Sequence, residues 1–135
     1  EPRFAHTVKW ENYYKDISHN LEMGAKINLK KKNFSLNIKI VPGVFEIPVT
    51  IAKNIKLYDG VIALGCVIKG QTPHFDYISM STINGIMELS IKHKKPIGNA
   101  ILTCLNKKQA KVRSSGNRNK GLEAAEAVFQ VLLNA

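Results

Sequence analysis

The sequence predicts an α/β fold, a three-layer sandwich with a four-stranded parallel sheet flanked by helices. Three observations predict it. Strand-like and helix-like segments alternate in the order β-α-β-α-β-α-β-α-α, which implies parallel strands joined by right-handed helical crossovers. Val61-Ile62-Ala63-Leu64-Gly65-Cys66-Val67-Ile68 is an unbroken apolar run, the pattern of a parallel strand covered on both faces. The loop Gly70-Gln71-Thr72-Pro73-His74-Phe75-Asp76 follows that run and opens a helical pattern, so backbone N–H groups at a helix start are aimed where anions bind well.

Each element has its own signal. Arg3 to Trp10 reads as a weak strand anchored by Phe4 and Val8, followed by an aromatic loop, Trp10 to Tyr14. From Lys15 to Lys31 the apolar positions Ile17, Leu21, Met23-Gly24-Ala25 and Ile27 suit a helix. Asn37 to Val41 is a short strand, and Pro42-Gly43 is a turn. Phe45 to Lys56 is the second helix, with Pro48 in its first turn, where a missing N–H does no harm. Val61 to Ile68 is the third strand. Phe75 to His93 is a long helix with two apolar stripes, one of Phe75, Ile78, Ile86 and Leu89, the other of Met80, Ile83, Met87 and Ile91. One stripe should face the sheet and the other a second subunit. Ile97 to Leu105 is the last strand, Asn106 to Val112 a short helix, and Asn117 to Leu133 the final helix, with Leu122, Ala125, Val128, Phe129 and Leu132 on one face.

Bulk properties narrow the function classes. The 135 residues, 44% apolar and 22% charged, fit one globular domain spanning residues 1–135, with neither internal repeats nor linkers. No apolar run reaches the roughly 18 residues of a membrane helix, so no membrane partner is expected. Glu1-Pro2-Arg3-Phe4 do not resemble a secretory signal, although a processed leader would leave no trace here. The compartment is left open between cytoplasm and plastid. Cys66 and Cys104 lie inside apolar runs and read as reduced core thiols. Two distant cysteines do not make a metal site, so no metal is expected. The net charge is +10, but its lysines are scattered apart from Lys30-Lys31-Lys32 and Lys94-Lys95. A solvated surface explains that better than a nucleic-acid partner.

Ligands of open α/β sheets bind beyond the carboxyl ends of the strands. The loops after the four strands hold Trp10 to Tyr14, Pro42 to Glu46, Gly70 to His74, and the segment ending in Gln109 to Arg113. Aromatics, a carboxylate, a histidine and an arginine are therefore expected on one edge. His74 places an imidazole, the side-chain type most used for proton transfer, beside a candidate phosphate site, which suggests proton transfer on a phosphorylated substrate. A guanidinium fork such as that of Arg113 suits phosphate geometry.

Four blocks carry a family resemblance. They are Val41-Pro42-Gly43-Val44-Phe45-Glu46-Ile47-Pro48, then Ala63-Leu64-Gly65-Cys66-Val67-Ile68-Lys69-Gly70-Gln71-Thr72-Pro73-His74-Phe75-Asp76-Tyr77, then Gln109-Ala110 with Arg113, and last Asn119-Lys120-Gly121-Leu122-Glu123-Ala124-Ala125. In this order and spacing, from about Val41 onward, the chain resembles the 6,7-dimethyl-8-ribityllumazine synthase family. The resemblance implies a flavodoxin-like sandwich and the penultimate step of riboflavin biosynthesis. In that step 5-amino-6-(D-ribitylamino)uracil condenses with 3,4-dihydroxy-2-butanone 4-phosphate, without a cofactor.

The resemblance also implies roles. His74 would be the catalytic proton shuttle; a histidine that merely caps or packs is the plainer reading. Arg113 would clamp phosphate with the backbone N–H groups of Gln71 and Thr72, and Lys120 would add positive field. Glu123 would hold Arg113 or Lys120 in place. Glu46 would accept hydrogen bonds from the ribityl hydroxyls, while Val44 and Phe45 offer backbone groups. Val67, Ile68 and Lys69, closing the third strand, would line the substrate. Trp10 or Tyr13 would stack on the pyrimidine; Trp10 has Asn12 nearby, whereas Tyr13 is reached by counting back from Gly24-Ala25. Asn99 stands where the family often has a bulky aromatic beside the ring. Members form homo-pentamers with sites shared between neighbours, and some build a sixty-subunit shell. Two other readings stay open: a weakly catalytic flavin- or lumazine-binding protein on the same scaffold, and a basic nucleic-acid-binding assembly.

Overall fold

The structure, a computed structural model, describes residues 3–10, 15–31 and 34–134. The chain runs through β1 (Arg3–Trp10), α1 (Lys15–Lys31), β2 (Ser35–Val41), a 3-10 turn at Val44–Glu46, α2 (Ile47–Asn54), a second 3-10 turn at Ile55–Leu57, and β3 (Gly60–Ile68). It continues through α3 (His74–His93), β4 (Ile97–Cys104), α4 (Lys107–Arg113), a 3-10 turn at Gly116–Arg118, and α5 (Lys120–Leu133). The sheet order is β2-β1-β3-β4, and every pairing is parallel.

Side-chain alternation along the strands builds two cores. Ile62, Leu64 and Cys66 of β3 and Ala100, Leu102 and Cys104 of β4 face α1 and α5. From α1 come Ile17, Leu21, Ala25 and Leu29, each four residues after the last and so on one helical face. From α5 come Ala124, Ala125, Val128 and Phe129, the last stacked on Phe34 with ring centroids 4.9 Å apart. On the other side, Val61, Ala63 and Ile101 meet Val44, the α2 residues Ile47 and Ile51, Ile55, and Ile86 of α3. The unbroken apolar run of β3 is thus used on both faces. The result is an α/β protein with helices flanking a parallel sheet.

The chain moves from β1 to β2 in one direction and on to β3 and β4 in the other. The order therefore reverses between β1 and β3, and the crevice at such a reversal is where ligands of these sheets bind. The register from β1 to β3 ends at Lys9 opposite Leu64, whereas β3 pairs with β4 as far as Ile68 opposite Cys104. Among the described residues, no strand lies beside Cys66, Val67 and Ile68 on their β1 side.

Several elements differ from the sequence reading. The second helix is not continuous from Phe45 to Lys56 but has a tight turn at each end. Glu46 N–H bonds to Gly43 (3.2 Å) before Pro48 falls in the first turn of α2. The last helix begins at Lys120 rather than Asn117, because Gly116 takes φ 55° and Asn119 caps the helix. Ile83 packs toward the sheet with Ile78 and Leu89. The exposed stripe of α3 is instead Tyr77, Met80, Met87 and Ile91. Met23 and Ile27 lie off the buried face of α1 and are exposed.

Candidate active site

Because all four strands are parallel, their carboxyl ends share one edge. Trp10 ends β1 opposite Val41 of β2, and Tyr13 lies outside the described residues. After β2, Val44 is buried and anchors the turn, which leaves Phe45 59% exposed and Glu46 half-buried. Phe45 and Glu46 line a cavity of about 370 Å³ with Pro48, Val49, Ser81 and Thr82. Ser81 and Thr82 were not singled out from the sequence, because two hydroxyls in mid-helix carry no local signal.

After β3, Val67 and Ile68 are half-buried. Lys69 N–H bonds to the carbonyl of Cys104 (2.9 Å), which ties the loop to β4. Lys69, Gln71, Thr72 and His74 are exposed, and His74 is the first residue of α3. Pro73 is the N-cap, with no side-chain capping bond. It accepts from the N–H groups of Asp76 (3.1 Å) and Tyr77 (3.3 Å). The N–H groups ahead of these, those of His74 and Phe75, have no carbonyl one turn back within the helix. An anion at this end would meet those donors and the positive pole of a long helix, with the Asp76 carboxylate in the same turn opposing it.

After β4, the Asn106 side chain caps α4 by accepting from Gln109 N–H (2.9 Å), and Gln109 Oε1 accepts from Leu105 N–H (2.8 Å). This brace holds α4 against the strand end. Arg113, in the last turn of α4, directs Nη1 to Cys104 Sγ at 3.6 Å. Arg113 and Lys108 line a cavity of about 470 Å³ with Arg118, a third cation that the sequence reading missed. Lys120 pairs with Glu123 at 3.1 Å, so Glu123 has Lys120 as its partner.

Not every candidate gathers in one pocket. Glu46 follows β2 and Arg113 follows β4, the two outer strands. At about 4.8 Å per strand, three strand spacings put these ends roughly 14 Å apart. They also sit on opposite layers, since Val44 joins the α2–α3 core and Ala110 of α4 joins the α1–α5 core. His74 and Arg113 follow neighbouring strands. Asn99 lies early in β4, opposite Ala63, and its Oδ1 accepts from its own strand's Ile101 N–H (3.0 Å). It is five residues short of the strand end, about 16 Å from the rim.

Both cysteines are free and buried. Burial first, then the neighbouring Cys104 and Asp16, push the Cys66 thiol up to about 12. It stays protonated at neutral pH and is no nucleophile. Among the described residues, no three His, Cys, Asp or Glu side chains cluster as metal ligands. No described helix is long and apolar enough to cross a membrane.

A parallel α/β sheet whose loops gather polar side chains at its carboxyl edge is the frame of a ligand-binding or catalytic α/β protein. The family model for 6,7-dimethyl-8-ribityllumazine synthase matches residues 10–134. The chain is 44% identical over 122 residues to a 6,7-dimethyl-8-ribityllumazine synthase of Bartonella bacilliformis, covering 87% of this chain and 80% of that one. It is 40% identical over 128 residues to that of Afipia carboxidovorans, covering 89% and 78%. It is 35% identical over 136 residues to that of Corynebacterium kroppenstedtii, covering 96% and 86%. The chain belongs to the 6,7-dimethyl-8-ribityllumazine synthase family.

Proposed function

We propose that this protein acts in riboflavin biosynthesis, condensing 5-amino-6-(D-ribitylamino)uracil with 3,4-dihydroxy-2-butanone 4-phosphate. The products are 6,7-dimethyl-8-ribityllumazine, inorganic phosphate and water. The family match across residues 10–134 carries this reading. The amine attacks the ketone and forms an imine with loss of water. Phosphate is eliminated to leave an enol that tautomerises to a ketone, and the ribitylamine nitrogen closes the second ring on that carbonyl with loss of a second water. These steps need orientation and proton movement, which a positioned acid–base group accelerates by roughly 10²–10⁴.

The chain's own residues divide the work. His74, exposed at the start of α3, shuttles protons at the imine and enol stages. Arg113 and Lys120 hold the phosphate together with the N–H groups of Gln71 and Thr72. Glu46 receives the ribityl hydroxyls, and backbone groups of Val44, Phe45, Val67, Ile68 and Lys69 orient the pyrimidine. The unflanked side of Cys66 to Ile68 supports that last role. Trp10 or Tyr13 stacks on the ring. A flavodoxin-like single domain carries all of these residues.

One pocket containing both Glu46 and Arg113 requires two protomers, because a single protomer holds them on opposite layers and outer strands. The exposed α3 stripe supports a subunit contact. The assembly is a homo-pentamer, and Asn99 reaches a site only as a neighbour's contribution. The bacterial sources of the relatives named above support a cytoplasmic rather than a plastid setting.

The test is a turnover assay with both substrates, read by the absorbance of the lumazine, beside native mass measurement of the assembly. Product formation by a five-subunit particle or a multiple of it is expected. Tight riboflavin binding without product would move the protein to the ligand-binding reading, which the Trp10 to Tyr14 sequence and the small polar residue at Asn99 motivate.

A further inference from the structure

Asn119 sits in a block that carries the family resemblance, yet none of the roles above falls to it. Its residue is 7% exposed. Nδ2 donates to the carbonyl oxygen of Asn20 in α1 (2.8 Å) and to that of Ser114 at the end of α4 (2.9 Å). Oδ1 accepts from the N–H groups of Gly121 (2.8 Å) and Leu122 (3.1 Å) in the first turn of α5. A primary amide offers two donor hydrogens and two acceptor lone pairs, so its whole capacity is engaged.

Three elements are joined at this one side chain, and glycines make the room. A Cβ on Gly24 of α1 would run into the Asn119 amide, and one on Gly121 into the carbonyl oxygen of Leu21. α1 and the start of α5 therefore meet backbone to backbone, with the amide wedged alongside.

The residues bracketed by the amide are cationic. Ser114, whose carbonyl it holds, directly follows Arg113, and Lys120 directly follows Asn119. The side-chain contacts of these two are weak restraints: a long bond to a thiol for Arg113 and an exposed ion pair for Lys120. The turn between them passes through Gly116 in the left-handed region. Its two ends hang from the same amide.

We propose that Asn119 is a positioning residue that sets the separation of Arg113 and Lys120, and so the width of a cradle for a phosphate monoester or inorganic phosphate. This rests on the phosphate-side reading given above. Asn119 itself does not touch the ligand.

Asn119→Asp keeps the capping acceptors but turns a carboxylate toward two carbonyls. Asn119→Ser keeps a cap and loses both long-range donors. Each is compared with wild type by steady-state kinetics for both substrates, calorimetric titration with inorganic phosphate, and Tm. In both variants, the KM for the butanone phosphate and the Kd for phosphate should rise about tenfold. The KM for the ribitylaminouracil should move less than about twofold. Gly24→Ala crowds the same amide from α1 and should give the same skew, and adding Asn119→Ser should restore its lost Tm. Should Asn119→Asp not fold, Asn119→Ser decides. Unchanged phosphate affinity in folded variants overturns the proposal, as does a rise of both KM values in step with falling Tm. If wild type binds phosphate but forms no lumazine, the reaction reading falls, and the calorimetric comparison still decides the role of Asn119. If wild type does not bind phosphate, the proposal falls.

Discussion

Arg113 tests the phosphate side most directly. Hydrogen bonds to charged groups contribute about 1.5–3 kcal/mol, so Arg113→Ala should lower kcat/KM for the butanone phosphate roughly tenfold to a hundredfold. The KM for the ribitylaminouracil should hardly change; wild-type kinetics in the variant would remove Arg113 from the clamp. Cys66 offers a prediction of a different kind. Its thiol, ordinarily near 9.0, is pushed up to about 12 by burial, with Cys104 and Asp16 adding to it. Between those values the unfolded chain gives up this proton while the folded chain keeps it. The folded state then binds more protons, so this thiol's contribution makes stability fall as pH rises through that window and adds no slope below it. Denaturant midpoints of wild type should drop more steeply there than those of Cys66→Ala; parallel curves would refute it. The placement of His74 at the start of α3 and of Arg113 in the segment after β4 was legible from motif and pattern. Thr82 was not, since Phe45, Glu46, Pro48 and Val49, which complete its cavity, are distant in sequence. Arg118 was not, since only the turn after α4 folds it back beside Arg113.

Among the elements, β3 and α5 were the easiest to read, because burial on both faces of a strand and on one face of a helix leaves plain patterns in the sequence. α3 was harder. Its sheet-facing side includes the buried Thr82 beside Ile86, so the apolar pattern by itself puts Ile83 on the wrong face. The end of α3 carries its own prediction. Lys94 closes the helix at φ 54° and ψ 42°, a left-handed conformation that disfavours a side chain. Lys94→Gly should stabilise the fold by about 0.5–1 kcal/mol, read as a higher Tm. A lower Tm would mean that the lysine side chain contributes more than its backbone costs.

At the scale of the molecule, α3 leaves an apolar stripe uncovered. Tyr77, Met80, Met87 and Ile91 are 69%, 66%, 58% and 68% exposed along α3, an apolar surface of the kind that marks interaction sites. Met80→Glu with Met87→Glu should break the assembly into smaller species by native mass measurement. Turnover should be lost with it, as the proposed pocket between two protomers requires. An intact, active assembly would place the subunit contact elsewhere. Reading along the chain was enough for the alternation of layers, the apolar spine of the sheet and the gathering of loops at its carboxyl edge. Those follow from periodicity and from the local chemistry of a strand, a glycine loop and a helix start. The strand order, the separation of Glu46 from Arg113 across layers, and the grip of Asn119 on Asn20 ninety-nine residues away emerged only from the packed chain. Contacts between distant segments obey shape and hydrogen-bond capacity, and neither leaves a repeat that a linear pattern can reveal.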